Sequence, residues 1–343
     1  MSSERVRWGI LGTGKIATIL AEAIGSSTGG RLVAVGSRDT ERAAAFASRF
    51  AVPRHGSYEN VLDDDEVELA YVATHHPEHR RWAVAAAGAG KHVLCEKPIA
   101  IRHADAVEIV EAARRNDVFL AEAFAYRSHP QTDRLVALIR DGAIGTVRVI
   151  DAVFAYDAGP QPTNYLMAPE LAGGSMLDVG CYTTSMSHLV AAAGQGVDVL
   201  QSSDVAAAAV FGPTGVDLTT AATLTFDDGA LARVACSIQA NLDGALKVVG
   251  SEGRIEVPSP WLPGRIGDRA EILLQRWGVD EEAIPISIEA DVYTIEVDAV
   301  SHCVRQGARS SPGMRWEESL ANMLTLDRWR SAIGLRYPGD PSA

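Results

Sequence analysis

The stretch Gly12-Thr13-Gly14-Lys15-Ile16-Ala17, directly after the apolar run from Arg5 to Leu11, narrows the possible folds more than any other feature. The residues before it read as a short buried strand, and Ile16, Ile19, Leu20 and Ala23 recur at helical spacing after it. In a strand-turn-helix setting Gly-x-Gly-x-x-Ala is the fingerprint of a dinucleotide site. Gly12 permits the tight turn, Gly14 lets a pyrophosphate approach the backbone, and Ala17 permits close helix-strand packing. Thr13, Lys15 and Ile16 complete the expected cofactor turn. The competing reading is a turn with a structural role alone.

The next strand, Leu32-Val33-Ala34-Val35-Gly36, ends at Ser37-Arg38. An NAD-binding chain usually places an acidic residue there, about twenty residues past the glycines, for the ribose 2′-hydroxyl. A serine and a guanidinium suit a 2′-phosphate instead, so NADP is expected rather than NAD. Arg38 could alternatively serve the following helix by pairing with Asp39 or Glu41.

A βαβ rhythm continues through Val67 to Ala73, Pro77 to Ala87, His92 to Cys95, His103 to Arg115 and Val118 to Glu122. Alternating strands and helices predict a parallel, doubly wound sheet. Thr74-His75-His76-Pro77-Glu78-His79 then falls at a strand's carboxyl end, where such sheets bind ligands. Three histidines in five residues invite a zinc site, but no second ligand cluster accompanies them. Thr74, His75, His76 and His79 are therefore expected to contact the cofactor, with no metal. Glu96-Lys97-Pro98 ends a later strand of the same sheet. Pro98 disfavours helical geometry at the residue before it, so Lys97 is expected in an extended turn with its ammonium toward a substrate. Taken alone, the tripeptide also fits a surface lysine in a loop.

After Ala123-Phe124 the rhythm stops. A helix from His129 to Arg140 gives way to alternating runs, of which Val216 to Phe226 is the clearest, with Asp228-Gly229 marking a hairpin into Ala230 to Ile238. Further strands are expected at Leu246 to Gly250 and Arg254 to Val257, and closing helices at Val292 to Arg305 and Trp316 to Ile333. The fold class is thus an α/β Rossmann domain over 1–124, followed by an α+β domain over 125–343 with a large, mostly antiparallel sheet. The last helix could pack back on the first domain. The apolar positions Val216, Leu218, Ala222, Leu224 and Phe226 suggest a sheet face buried by a second copy in a homodimer or homotetramer, unless helices cover it. Gly173 to Tyr182 opens another helix, to about Ala193. There Asp178 and Tyr182, four apart, would share a face. Asp178 could equally be a helix cap and Tyr182 a core aromatic.

The chain of 343 residues, 47% hydrophobic and 22% charged, is an ordinary globular composition with room for two domains. A formal charge of -13 argues against nucleic acid or an anionic membrane as partner. Cys95, Cys181, Cys236 and Cys303 are widely spaced, which fits a reducing cytoplasm. The amino terminus shows no secretory pattern and no run reaches the length of a membrane span.

With these pieces placed, the chain resembles the glucose-fructose oxidoreductase, inositol dehydrogenase and rhizopine-catabolism (Gfo/Idh/MocA) family over nearly its whole length. The carriers are Gly12 to Ala17, Ala73 to His79, Glu96-Lys97-Pro98, Glu122-Ala123-Phe124-Ala125-Tyr126-Arg127 and Gly173 to Tyr182. The Cys181-Tyr182 ending and Ser37-Arg38 look like the branch of NADP-dependent aldose and dihydrodiol dehydrogenases. Inositol dehydrogenases carry histidine at the place of Tyr182. Aldose members often have Asn-Ile-Arg before the glycines, whereas Asn164-Tyr165-Leu166 stands here.

The resemblance implies hydride transfer between nicotinamide and a carbinol or carbonyl carbon of a sugar or related polyol. It makes Tyr182 the proton-transfer residue, with Lys97 as its tuner and oxygen clamp. Asp178 would orient the substrate, Glu96 would contact the cofactor, and Tyr126 and Arg127 would line the substrate end. Three other functions fit the same motifs: an NADP-binding sensor without turnover, a glycosidase that retains its cofactor, and a sugar-nucleotide oxidoreductase.

Overall fold

A computed structural model describes residues 4–159, 165–265, 270–338 and 340. The chain divides into two compact units that are not contiguous in sequence. The first takes the chain up to Ala100, Ala104–Ser128 and Ala290–Trp316; the second takes Ile101–His103, His129–Glu289 and the chain from Glu317 on.

In the first unit six strands form a parallel sheet: β1 (Val6–Leu11), β2 (Gly30–Gly36), β3 (Arg54–Gly56), β4 (Leu69–Val72), β5 (His92–Glu96) and β6 (Leu120–Ala123). Their order, β3-β2-β1-β4-β5-β6, is that of a doubly wound dinucleotide fold. Helices α1 (Lys15–Ser26), α2 (Thr40–Phe50), α3 (Tyr58–Leu62), α4 (His79–Gly88) and α5 (His103–Arg115) make the crossovers. The sequence reading placed a helix after Arg38 without bounds, and did not mark the short β3 and α3. Asp39 caps α2, its Oδ1 accepting from the Glu41 and Arg42 N–H groups.

A late helix, α8 (Val292–Arg305), belongs to this unit. Val297, Val300, Cys303 and Val304 join Trp8, Ile10, Leu20 and Ile24 in one apolar core. Polar contacts set its register. Ser27 Oγ and the Gly29 N–H donate to Asp298 Oδ1 at 2.6 and 2.7 Å, and Arg305 grips both oxygens of Glu68 at 2.8 Å. The bidentate geometry matches a guanidinium to a carboxylate.

The second unit is built on eight strands: β7 (Val147–Ala155), β8 (Asp204–Phe211), β9 (Asp217–Thr225), β10 (Leu231–Ser237), β11 (Leu246–Gly250), β12 (Gly253–Val257), β13 (Glu271–Arg276) and β14 (Glu282–Pro285). They run β14-β13-β12-β11-β7-β10-β9-β8. Every pairing is antiparallel except β7 with β10, so the sheet is mixed and mostly antiparallel. Helices α6 (Pro130–Arg140), α7 (Cys181–Gln195) and α9 (Trp316–Ala332) complete the unit.

α7 is buried almost throughout, and several of its hydroxyls are paired. Thr183 Oγ1 donates to the Gly180 carbonyl and Ser187 Oγ to that of Thr183, while Thr184 Oγ1 donates to Asn322 Oδ1 on α9. Trp329 of α9 is fully buried with its indole N–H on Thr220 Oγ1, so its truncation to alanine would cost about 3–5 kcal/mol.

One expectation about the sheet is corrected. Val216, Ala222, Leu224 and Phe226 are not free for a second copy: all are buried within the chain, and Phe226 meets His188 of α7 edge-on. The helices take the apolar face. The opposite face carries Thr219, Ala221, Thr223 and Thr225.

Candidate functional site

The cofactor half of the site is built at the carboxyl ends of β1, β2, β4 and β5. Gly12 has φ +130°, and a Cβ there would lie 2.4 Å from the Ala73 carbonyl oxygen. Glycine is required at that position by backbone crowding as well as by the turn. Gly14 differs. A Cβ there meets no protein atom within 4 Å, so the open space over the start of α1 is left for a ligand. Thr13, Lys15 and Ile16 flank this opening as the turn enters α1, while Ala17 is fully buried beneath. Thr74 Oγ1 is buried and has no hydrogen-bond partner among the described residues. An open amino terminus of a twelve-residue helix, a glycine with space above it and an orphaned hydroxyl fit a dinucleotide.

At the end of β2, Ser37 is buried and Arg38 exposed. With Asp39 engaged as a helix cap, Arg38 turns to Tyr58. Burial raises the phenol's pKa, and the Arg38 guanidinium, hydrogen-bonded to it, draws it back down. Arg42 lies in the same field, and burial followed by these two cations lowers the pKa of His75. Two guanidinium groups, Arg38 and Arg42, thus act at the end of β2, with Glu78 opposing them.

Lys97 is half-buried in a loop fixed by its neighbours, and its bond to Pro98 is cis. Glu96 Oε2 accepts from the Lys97 N–H at 3.2 Å, and Glu96 Oε1 accepts from the Tyr71 hydroxyl. The Ile99 N–H donates to Glu122 Oε1 at 2.8 Å. From the other side His79, fully buried, faces the Pro98 carbonyl with Nδ1 at 2.8 Å and the Thr74 carbonyl with Nε2 at 3.1 Å. Burial lowers its pKa to about 4, favouring a neutral ring whose single N–H can donate to only one of the two carbonyls. His79 is thus packed between the Thr74 turn and the Lys97 loop. His76 packs edge-on against it.

Tyr126 is fully buried, edge-on to Phe124, and the buried Arg127 donates from Nε to the Gly313 carbonyl at 2.6 Å. Both sit within the packing of the first unit.

The second unit presents a separate cluster. Met176–Gly180 is a π-helical turn leading into α7. Residues four apart stay on nearly one side of such a turn, so Asp178 and Tyr182 keep the common side expected of them. A strand packs against that turn. In the middle of β7, Ile150 and Ala152 lie on the buried face. Next on that face, Phe154 meets Tyr182 edge-on at 5.2 Å between centroids, and the Tyr156 hydroxyl donates to Asp178 Oδ2 at 2.6 Å. Trp261 stacks on Phe154 at 5.4 Å and 6°, with its indole N–H on the Val153 carbonyl, and offers its face to Tyr182 at 6.1 Å. Tyr182 is therefore oriented by two aromatic rings and Asp178 by one phenol.

The glycines before the turn are explained by crowding. A Cβ on Gly173 would lie 2.5 Å from the Leu166 carbonyl oxygen, and one on Gly174 only 2.1 Å from Asp217 Oδ1. Asn164 lies outside the described residues. Phe154, Tyr156 and Trp261 were missed by sequence reasoning, and Asp217, which alternation puts on the polar face with Thr219, is buried instead. Only Phe154 and Tyr156 carried a signal, the period-two spacing that continues Ile150 and Ala152.

Comparison with known proteins agrees with this arrangement. Residues 6–124 match the oxidoreductase family with NAD-binding Rossmann fold, and residues 132–256 match the GFO/IDH/MocA C-terminal domain. A trans-1,2-dihydrobenzene-1,2-diol dehydrogenase of Mus musculus is 33% identical, covering 98% of this chain and 99% of its own. An uncharacterized oxidoreductase of Rhizobium meliloti is 32% identical over 94% and 95%. Among solved structures, an aldose-aldose oxidoreductase from Caulobacter crescentus superposes with a TM-score of 0.85 at 24% identity, over 96% of this chain and 97% of that one. A 3-ketoreductase from Actinomadura kijaniata, solved with NADP, also gives 0.85 at 24%, over 96% and 98%. The dinucleotide turn, the Glu96-Lys97-Pro98 loop and the matches across both units lead to one assignment: the chain belongs to the Gfo/Idh/MocA family of NAD(P)-dependent oxidoreductases.

Proposed function

We propose that the protein is an NADP-dependent dehydrogenase acting on a secondary alcohol of a sugar or related polyol, with Tyr182 as the group that moves the hydroxyl proton. The observation that carries this reading is the orientation of Tyr182 by Phe154 and Trp261 beside the Asp178–Tyr156 pair. A purely structural tyrosine has no need of an oriented carboxylate one turn away.

Gly12, Thr13, Gly14, Lys15, Ile16 and Thr74 would hold the dinucleotide, with Ser37 and Arg38 at its 2′-phosphate and His75, His76 and Glu96 along its length. His79 acts through the loops it packs between. When bound, the nicotinamide supplies the hydride donor or acceptor. The chain supplies the proton chemistry. A phenol with its usual pKa near 10 is a poor base at neutral pH, and a nearby ammonium favours its ionised form. In this reading Lys97 provides that ammonium and binds the substrate oxygen, Asp178 orients the substrate's hydroxyls, and Tyr126 and Arg127 support the substrate end.

A second substrate reading rests on the stacked Phe154–Trp261 pair. A flat apolar wall suits a cyclic dihydrodiol as well as the C–H face of a sugar, and dihydrodiol dehydrogenases are among the relatives. Following NADPH formation across aldoses, cyclitols, sugar nucleotides and dihydrodiols tests both. Turnover of aldoses alone supports the first, turnover of dihydrodiols alone supports the second, and turnover of none contradicts the enzymatic reading.

The homo-oligomer is proposed to form through the outer face of the second sheet. Small side chains there, Ala221 among them, lie between the exposed Val210 and Leu231, with the Arg233–Asp151 pair on the same face.

A further inference from the structure

The clearest polar feature outside the residues assigned above is Asp217, and a β-bulge puts it where it is. Along β8 and β9, Val210 pairs with Thr219 but Phe211 pairs with Asp217, leaving Leu218 as the extra residue. Beyond the bulge Thr220, Ala222 and Leu224 face the helices. Regular alternation would send Asp217 to the opposite face with Thr219 and Ala221; the bulge turns it inward instead. There it has no exposure at all.

Its Oδ2 accepts from Ser175 Oγ at 2.8 Å and from the Met176 N–H at 2.7 Å, the first groups of the turn that carries Asp178 and runs on to Tyr182. Its Oδ1 lies against Gly174, whose φ is +109°, and has no hydrogen-bond partner among the described residues. A buried carboxylate held on one oxygen by the turn's leading donors, and admitted only because residue 174 lacks a side chain, is costly to keep unless it does something.

We propose that Asp217 is a positioning residue for the proton-transfer step, its negative charge holding the Asp178–Tyr182 turn in the geometry that the reaction uses. The inference rests on the reading of Tyr182 given above.

Charge state is the handle for testing it. The titratable groups around Asp217 are Cys236 on β10, Cys181 beside Cys236, and Tyr337 of the carboxyl-terminal segment, with Arg330 and Asp340 beyond Tyr337. Cys236 and Tyr337 are pushed well above their ordinary values, by burial first and then by the charge of Asp217, so neither ionises in the working range. Burial also raises Asp217, to about 6, against the lowering effect of its bonds to Ser175 and Met176.

The test is the pH profile of kcat for wild type, Asp217→Asn and Ser175→Ala, combined with hydrogen exchange over residues 174–182. Asp217→Asn is expected to lower kcat at pH 8 by about ten- to a hundredfold, as for a lost hydrogen bond to a charged group. The NADPH dissociation constant should stay unchanged, the acid limb near pH 6 should disappear, and exchange over 174–182 should quicken. Ser175→Ala keeps the acid but removes a bond that lowers its pKa, so its acid limb should move to higher pH. Wild-type kcat with an unchanged acid limb in Asp217→Asn overturns the inference. So does an unmoved limb in Ser175→Ala, which decides the matter if the Asn variant fails to fold. Exchange reads the hold on the turn independently of the chemistry. Unchanged exchange in Asp217→Asn therefore overturns this inference, whereas retained turnover in Tyr182→Phe overturns the functional reading instead.

Discussion

The Tyr156 hydroxyl donates to Asp178 Oδ2 at 2.6 Å, fixing a carboxylate of the π-helical turn from the neighbouring strand. If Asp178 orients substrate hydroxyls, Tyr156→Phe should raise KM for the alcohol and lower kcat/KM by roughly tenfold or more, with cofactor affinity unchanged. Asp178→Asn keeps an acceptor for Tyr156 and removes only the charge, so steady-state kinetics of the two variants separate orientation from charge.

NADP should bind in preference to NAD. Ser37 and Arg38 end β2, Tyr58 and Arg42 lie alongside, and Asp39 is occupied as the cap of α2. Ser37→Asp combined with Arg38→Ala should weaken NADP binding by about 1.5–3 kcal/mol while leaving NAD binding close to wild type. Fluorescence titration of both cofactors checks this. Tighter binding of NAD by the wild type would refute the assignment.

Asp217 should make stability depend on pH with a sign unusual for a carboxylate. Its folded pKa, about 6, lies above the ordinary 3.8, so the folded state holds the proton more tightly than the unfolded chain does. Its contribution to stability is present below pH 3.8 and is lost as pH rises through 6, by about 3 kcal/mol in all. Asp217→Asn has no such loss. The Tm of the variant relative to wild type should therefore climb between pH 4 and 7, which thermal melts across that range measure directly.

A homo-oligomer joined through the outer sheet face should be split by Ala221→Lys, because a charge at the centre of that interface has no partner. Light scattering at micromolar concentration is expected to give a multiple of the monomer mass for wild type and a smaller mass for the variant. A monomeric wild type would end the proposal.

The parallel sheet was legible because two independent patterns coincide in it: apolar strands at regular intervals, and a Gly-x-Gly-x-x-Ala turn at the end of β1. The Lys97 loop was legible from Glu96 and Pro98, although the place of His79 beside it was not, since the Pro98 carbonyl it meets is nineteen residues away. In the second unit, alternation marked the apolar side of β9 correctly but could not say what covers it; α7 and α9 reach that side from elsewhere in the chain. Asp217 was hidden more deeply. Its side depends on a one-residue bulge set by pairing with β8, and local periodicity places it on the wrong face. Trp261 follows a strand in an irregular segment, and its stacking on Phe154 leaves no mark in the sequence.

The most direct test of the central claim is single-turnover hydride transfer by Tyr182→Phe, Lys97→Met and the double variant, with an alcohol that the wild type oxidises. Tyr182→Phe should keep its NADP affinity and slow hydride transfer by about 10²–10⁴-fold, as for a lost acid-base group. Lys97→Met should be at least as slow, and the double variant little slower than Lys97→Met alone, because groups acting as one unit do not add. Near wild-type hydride transfer in Tyr182→Phe, or fully additive losses in the double variant, would contradict the account.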